Sequence, residues 1–144
     1  LNILSKKEIL SKGKELSTEV GYDPLTGLNV EMDTEIPYNG IGYTLFDNWE
    51  VESYSFYVDG IEDIQTIEFY FNGKLKKYYD MKKGLVDGEI IEWNEEGIMT
   101  YWAECEVSVL KAFKEWNDQG QLEDEKKEPT IEELEKIKKI KCEK

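Results

Sequence analysis

Carboxylates are the reactive inventory of this chain. Asp and Glu supply 32 of its 144 residues, while histidine and arginine are absent. Without histidine there is no ordinary general base at neutral pH and no imidazole metal ligand, which excludes Ser–His, Cys–His and His-based zinc chemistry. Without arginine there is no bidentate clamp for phosphate or carboxylate. What survives is carboxylate-only chemistry: a glycosidase-type acid pair, or an oxygen-ligand site for Ca²⁺ or Mg²⁺. Two arrangements qualify. Glu92 and Glu115 open the near-identical stretches "EWNEEG" and "EWNDQG", and Asp59, Glu62 and Asp63 crowd "YVDGIEDIQ". Neither has the Asp/Asn series with Gly and Glu that marks an EF-hand loop. Cross-strand polar partners on a solvent face account more simply for the first, and a solvated hairpin loop for the second. The expectation is a protein that is not an enzyme and carries no metal or cofactor.

The net charge of −14 is unevenly placed. Residues 15–73 hold thirteen acids and no lysine, a net −13, whereas the remainder sets nineteen acids against eighteen lysines. A field of that kind repels nucleic acid and anionic membrane and attracts a basic partner. No apolar run approaches the roughly 20 residues of a membrane span. The opening "LNILSKKEIL" lacks the longer apolar block and cleavage site of a secretory signal, and two cysteines make no disulfide framework. These features predict a cytoplasmic protein with Cys105 and Cys142 as reduced thiols.

The elements that must position any site are mostly strands. Ser5 and Glu8 stand in capping-box spacing ahead of a short helix, weakened by Gly13. A turn follows at Asp23–Gly27, then a short strand around Val30 and Met32. From "PYNG" at Pro37–Gly40 the pattern turns to alternation, in "IGYTLFD", "VESYSFYVDG", "IQTIEFYFNG", "KLKKYYDM", "EIIEW", "IMTYWAEC" and "VSVLKAFKEW". Asn72-Gly73 between two such runs predicts a type I′ hairpin turn. The predicted fold is mainly β, an antiparallel meander flanked by short N- and C-terminal helices. It forms one domain: an N-terminal segment over 1–36, hairpin repeats over 37–122, and a charged linker with a helix over 123–144. In that helix Thr130 and Glu133 have capping-box spacing, Glu132/Lys136 and Glu135/Lys139 stand at i,i+4, and Ile131, Leu134 and Ile137 mark one face for docking on the sheet.

The two Glu-Trp-Asn stretches belong to a repeat. Tyr70, Trp93 and Trp116 precede turns at intervals of 23, and the turn glycines Gly73, Gly97 and Gly120 follow at 24 and 23. A period of that size marks stacked hairpins, none able to bury its face alone. Cross-strand packing explains Trp93 and Trp116 better than a duplicated aromatic pocket does.

Over "FYFNGKLKKYYDMKKGLVDGEIIEWNEEGIM" the chain resembles the variant MORN repeats: Y-x-x-G-x-L, a K-x-G-x-x-x-G step, then another aromatic–Asn–x–x–Gly. "PYNG" is similar to the element that opens such arrays. The resemblance covers roughly residues 37–122. "YWAECEVSVLKAF" departs from it in lacking the Lys-x-Gly step, and the 13-residue interval from Gly60 to Gly73 is short. The resemblance implies a hairpin sheet without catalytic residues and, in bacteria, the immunity or antitoxin partner of a secreted polymorphic toxin. Its partner would be a basic toxin domain, nuclease- or deaminase-like, drawn in by the lysine-free segment and held by aromatics. The contact residues predicted on that reading are Asp47, Trp49, Glu50, Glu52, Tyr54, Asp59, Glu62, Asp63 and Glu68. The alternative is a non-catalytic repeat scaffold for protein–protein interaction without a toxin partner.

Overall fold

Strand after strand, from Gly40 to Lys126, each hydrogen-bonds to the one before it in the computed structural model, which describes residues 1–143. The chain begins with α1 (Lys6–Lys12), β1 (Lys14–Glu15), β2 (Val20–Asp23) and β3 (Leu28–Glu31). The meander follows as β4 (Gly40–Leu45), β5 (Val51–Val58), β6 (Ile61–Phe69), β7 (Leu75–Lys82), β8 (Leu85–Trp93), β9 (Met99–Glu106), β10 (Val109–Trp116) and β11 (Leu122–Lys126). Helix α2 (Ile131–Cys142) ends the fold. All meander pairs are antiparallel, and β1 adds a ninth strand, parallel to β4, at one edge. The predicted mainly-β meander with two terminal helices is therefore the observed architecture.

Strand alternation places Tyr43, Tyr54, Ile67, Tyr78, Ile91 and Trp102 in one cross-strand row. Four of these, Tyr54, Ile67, Tyr78 and Ile91, are buried, and α1 lays Ile9 over them together with Ile3 and Leu4. Both halves of the Ser5/Glu8 capping box form, so α1 starts where the sequence predicts. The opposite face carries the row Ser55, Thr66, Tyr79, Ile90, Ala103 and Phe113. A smaller core of Val20, Tyr38 and Tyr57, backed by Leu16, joins the β2–β3 hairpin to the sheet. Burial raises the Tyr57 phenol to about 12, with the nearby Glu62 carboxylate adding to the effect.

The hairpin turns differ at the two ends of the sheet. At one end, the two-residue loops Asp59-Gly60, Lys83-Gly84 and Val107-Ser108 have positive φ at both positions, as a type I′ turn requires. Each loop is tied to the preceding hairpin: Gly60, Gly84 and Ser108 amides donate to the Tyr38, Glu62 and Val86 carbonyls at 2.8–2.9 Å. Asp59, Lys83 and Val107 amides donate to the side chains of Asn39 (2.8 Å), Asp63 (3.4 Å) and Asp87 (3.0 Å). This ladder repeats every 24 residues and defines the unit of the array.

At the other end the predicted type I′ turn at Asn72-Gly73 is not what forms. Tyr70 N–H donates to the Lys74 carbonyl and Gly73 N–H to the Tyr70 carbonyl, and within that loop only Gly73 has positive φ. This is a three-residue loop closed by a left-handed residue, and a register shift accompanies it at Glu68/Phe69. The shift aligns Phe69, not Tyr70, with Trp93 and Trp116, so the repeat is a residue out of the register read from aromatics alone. Trp93 joins the main core and Trp116 faces Leu122 across the strands, as cross-strand packing predicts.

Three further expectations need correction. The strand read at "EIIEW" begins earlier, since β8 starts at Leu85 and takes in Asp87-Gly88 as a bulge. Part of the predicted charged linker is β11: "LEDEK" has poor β-propensity, but the open edge of β10 supplies its backbone partners. Helix α2 forms with its Thr130/Glu133 capping box and packs along β10, but of the predicted face only Ile137 is buried. Its expected i,i+4 ion pairs are absent among the described residues. Glu133 reaches Lys126 on β11 at 2.5 Å, and Lys141 pairs with Glu106 on β9.

Candidate functional site

The nine predicted contact residues do not form one surface. Tyr54 is fully buried, and its hydroxyl accepts a 2.9 Å hydrogen bond from Leu4 N–H, so it is a core residue that anchors the N-terminal arm. The period of β5 explains the error: the aromatic alternation that marked Tyr54 is the alternation that turns it inward. Asp47, Trp49, Glu50 and Glu52 lie at the β4–β5 turn, and Asp59, Glu62 and Asp63 at the β5–β6 turn. β5 has 8 residues, so about 26 Å separates the two groups. Glu68 lies at the β4–β5 end of the sheet, opposite Ser53 on one side and Lys77 on the other.

The acids at the β5–β6 end are largely occupied within the fold. Asp63 accepts from the Ile64 and Lys83 amides, and Glu62 accepts from Thr66 Oγ1 at 3.3 Å. That engagement suits turn formation, while the Asp59 side chain is exposed. Glu92 stands opposite Lys77 and Tyr101, and Glu115 opposite Tyr101 and Asp124, so that β9 lies between the two. Their predicted role as cross-strand polar partners fits this register.

The β4–β5 end is different. Here the loops Phe46–Glu50, Tyr70–Lys74, Asn94–Ile98 and Asn117–Gln121 repeat one hydrogen-bond pattern along a common rim. The residue before each closing position must be left-handed. Three loops place glycine there, Gly73, Gly97 and Gly120, with φ between 81° and 89°. The first places Trp49, with φ 68°. A left-handed non-glycine residue costs on the order of 1–2 kcal/mol, a cost usually recovered by burial or hydrogen bonding. Trp49 recovers little of it, because its side chain is 72% exposed.

A second exposed aromatic lies on the same rim. Phe71, at the tip of the next loop, is 62% exposed and meets Phe46 edge-on with ring centroids 5.4 Å apart. The tip thus carries two large apolar side chains in water on adjacent hairpins, held by loops whose backbones are pinned by Asn48 and Asn72. Acids flank them: Asp47 and Glu52 are exposed, and Glu50 pairs with Lys6 at 2.8 Å. Farther along the rim come exposed Glu95, Glu96 and Asp118. On the cationic side, Lys76 lies over the Tyr70 ring at 5.6 Å.

The rim thus combines exposed aromatic rings with exposed carboxylates. Exposed aromatics on rigid loops supply desolvation energy, and surrounding carboxylates supply charge selection. Of the predicted contacts, the structure brings together Asp47, Trp49, Glu50 and Glu52. Phe71 was missed, although "FYFNG" contains one more aromatic than its strand can bury. No helix among the described residues is long and apolar enough to cross a membrane. No protein-family model, no curated protein and no solved structure matches the chain.

Proposed function

We propose that the chain is a cytoplasmic immunity protein: a non-catalytic antitoxin that binds and neutralises a cognate basic toxin domain through the Trp49–Phe71 rim. The observation that carries the binding reading is the exposed, left-handed Trp49 in a position that three equivalent loops give to glycine. A backbone cost retained without burial is explained by a contact made outside the chain. The surrounding lysine-free segment supports a basic partner, since its field would accelerate the encounter with a cation-rich surface. The toxin as partner rests on the resemblance of the 24-residue hairpin array to variant MORN repeats.

The mechanism is occlusion. Carboxylates of Asp47, Glu50 and Glu52 would occupy the cationic groove that a nuclease- or deaminase-like toxin offers its nucleic acid, while Trp49 and Phe71 would supply the desolvated contact that slows dissociation. The test is to mix the protein with the product of the neighbouring reading frame. A complex whose association rate falls with salt, and whose affinity drops at least about 30-fold in Trp49→Gly, is expected. A complex indifferent to both Trp49→Gly and Phe71→Ser would overturn the rim as the binding surface. Absence of any complex would overturn the immunity assignment.

A further inference from the structure

A second surface lies at the far end of β5, where the β2–β3 hairpin rests on the β5–β6 turn. Asn29 N–H and Nδ2 both donate to the Gly60 carbonyl, at 2.8 and 3.1 Å, and Tyr38 N–H donates to the Asn29 carbonyl. A two-stranded hairpin is marginal alone, and this one is fixed by those bonds, by buried Val20 and by the Lys14–Glu31 ion pair at 2.9 Å. It nevertheless exposes Tyr22 (66%), Leu25 (95%), Met32 (53%) and Ile36 (58%). Single exposed apolar residues are ordinary, but four within fifteen positions on one small hairpin are not.

These side chains shape a groove. Tyr22, Leu25, Val30 and Met32 line it with Asp23 and Glu35, and no cation is among the lining residues. Gly21 also lines the groove, and a Cβ there would stand in van der Waals contact with Met32, 3.4 Å from its Cγ. Asp33 adds a further exposed carboxylate, and Lys14 is paired with Glu31. An apolar floor with an acidic border selects against acidic peptides and anionic lipid surfaces and favours one chemistry.

We propose that this groove is a second binding site, which takes a short peptide segment alternating aliphatic and cationic side chains. An aliphatic side chain rests on Tyr22 and Met32, and the neighbouring lysine or arginine meets Glu35 and Asp23. The site is independent of the Trp49 rim, so it stands whether or not the partner of that rim is a toxin.

The experiment is amide shift mapping of the ¹⁵N-labelled full chain with the synthetic peptide (Lys-Leu)₃, with (Lys-Ser)₃ as the charge-matched control. Shifts are expected to concentrate in residues 20–36, with (Lys-Ser)₃ weaker by on the order of tenfold. Met32→Ser and Glu35→Gly should each weaken (Lys-Leu)₃ by roughly fivefold or more, and Trp49→Gly should leave its affinity unchanged. Glu35 has φ 60°, so glycine there removes the carboxylate while easing the backbone, and the variant keeps the fold. Shifts spread over the acids of 47–68, equal binding of the two peptides, or indifference to both groove variants would each overturn the site.

Discussion

Replacing Trp49 with glycine separates a binding residue from a structural one. Relief of the left-handed backbone should stabilise the fold by about 1–2 kcal/mol. Against that, the ring is 72% exposed, so only about a quarter of its surface is covered. That is on the order of 60–70 Å², or about 1.5 kcal/mol of lost burial. Glycine also gives the unfolded chain more freedom, costing roughly 0.5–1 kcal/mol. The three effects nearly cancel, and the net loss should be about 1 kcal/mol or less. Truncating a buried tryptophan costs about 3–5 kcal/mol, so the two outcomes are well separated. Urea unfolding followed by far-ultraviolet circular dichroism, with the m-value unchanged, measures the difference without relying on the fluorophore that was removed. A loss of 3 kcal/mol or more would refute the reasoning, because the fold itself would then be what sustains the Trp49 conformation.

Other expectations follow from the turns and the small core. Gly97→Ala places a Cβ with no atom within 4 Å at φ 89°, so its cost is backbone alone: about 1 kcal/mol by urea unfolding. Val107 is β-branched and has φ 43°, whereas Asn tolerates that region; Val107→Asn should therefore gain about 1 kcal/mol in the same assay. Tyr57 gives a pH dependence. Its folded pKa of about 12 lies above the unfolded value near 10, so the unfolded state loses its proton first as pH rises. Stability is thus full below about pH 10 and falls between about 10 and 12, by up to about 3 kcal/mol. Tyr57→Phe should flatten that part of a stability-versus-pH curve, and an unchanged slope would assign the alkaline loss to other groups.

What the sequence made legible was whatever local chemistry determines. The capping boxes at Ser5 and Thr130, the Asp23–Gly27 turn and the existence of β5 through β10 as successive antiparallel strands formed as predicted, since each is written within a few residues. The failures share a different cause. Trp49 occupies a glycine position, and Val107-Ser108 forms a type I′ turn without Asn or Gly, so neither announces its turn by composition. The Val107-Ser108 conformation is held from a distance, by the Asp87 side chain and Val86 carbonyl one hairpin earlier. β11 likewise exists because β10 offers an edge. Among the predicted contacts, charge density put acids from both ends of β5 in one group, although strand length holds them apart. The placing of Trp49 and Phe71 on one rim became visible only when the bulge register aligned the loops.

The 24-residue hydrogen-bond ladder gives the array a polarity. Each tight loop takes its restraint from the hairpin before it and supplies acceptors for the one after it: Asn39 for Asp59, Asp63 for Lys83, Asp87 for Val107. The first acceptor, Asn39, comes from the segment that also joins the β2–β3 hairpin to the sheet. Order therefore passes along the chain in the direction of synthesis, and each hairpin emerges beside a finished template. A unit added or removed in multiples of 24 residues would keep every donor matched to an acceptor. The array would then lengthen or shorten by whole hairpins, each adding or removing one loop of the rim that holds Trp49.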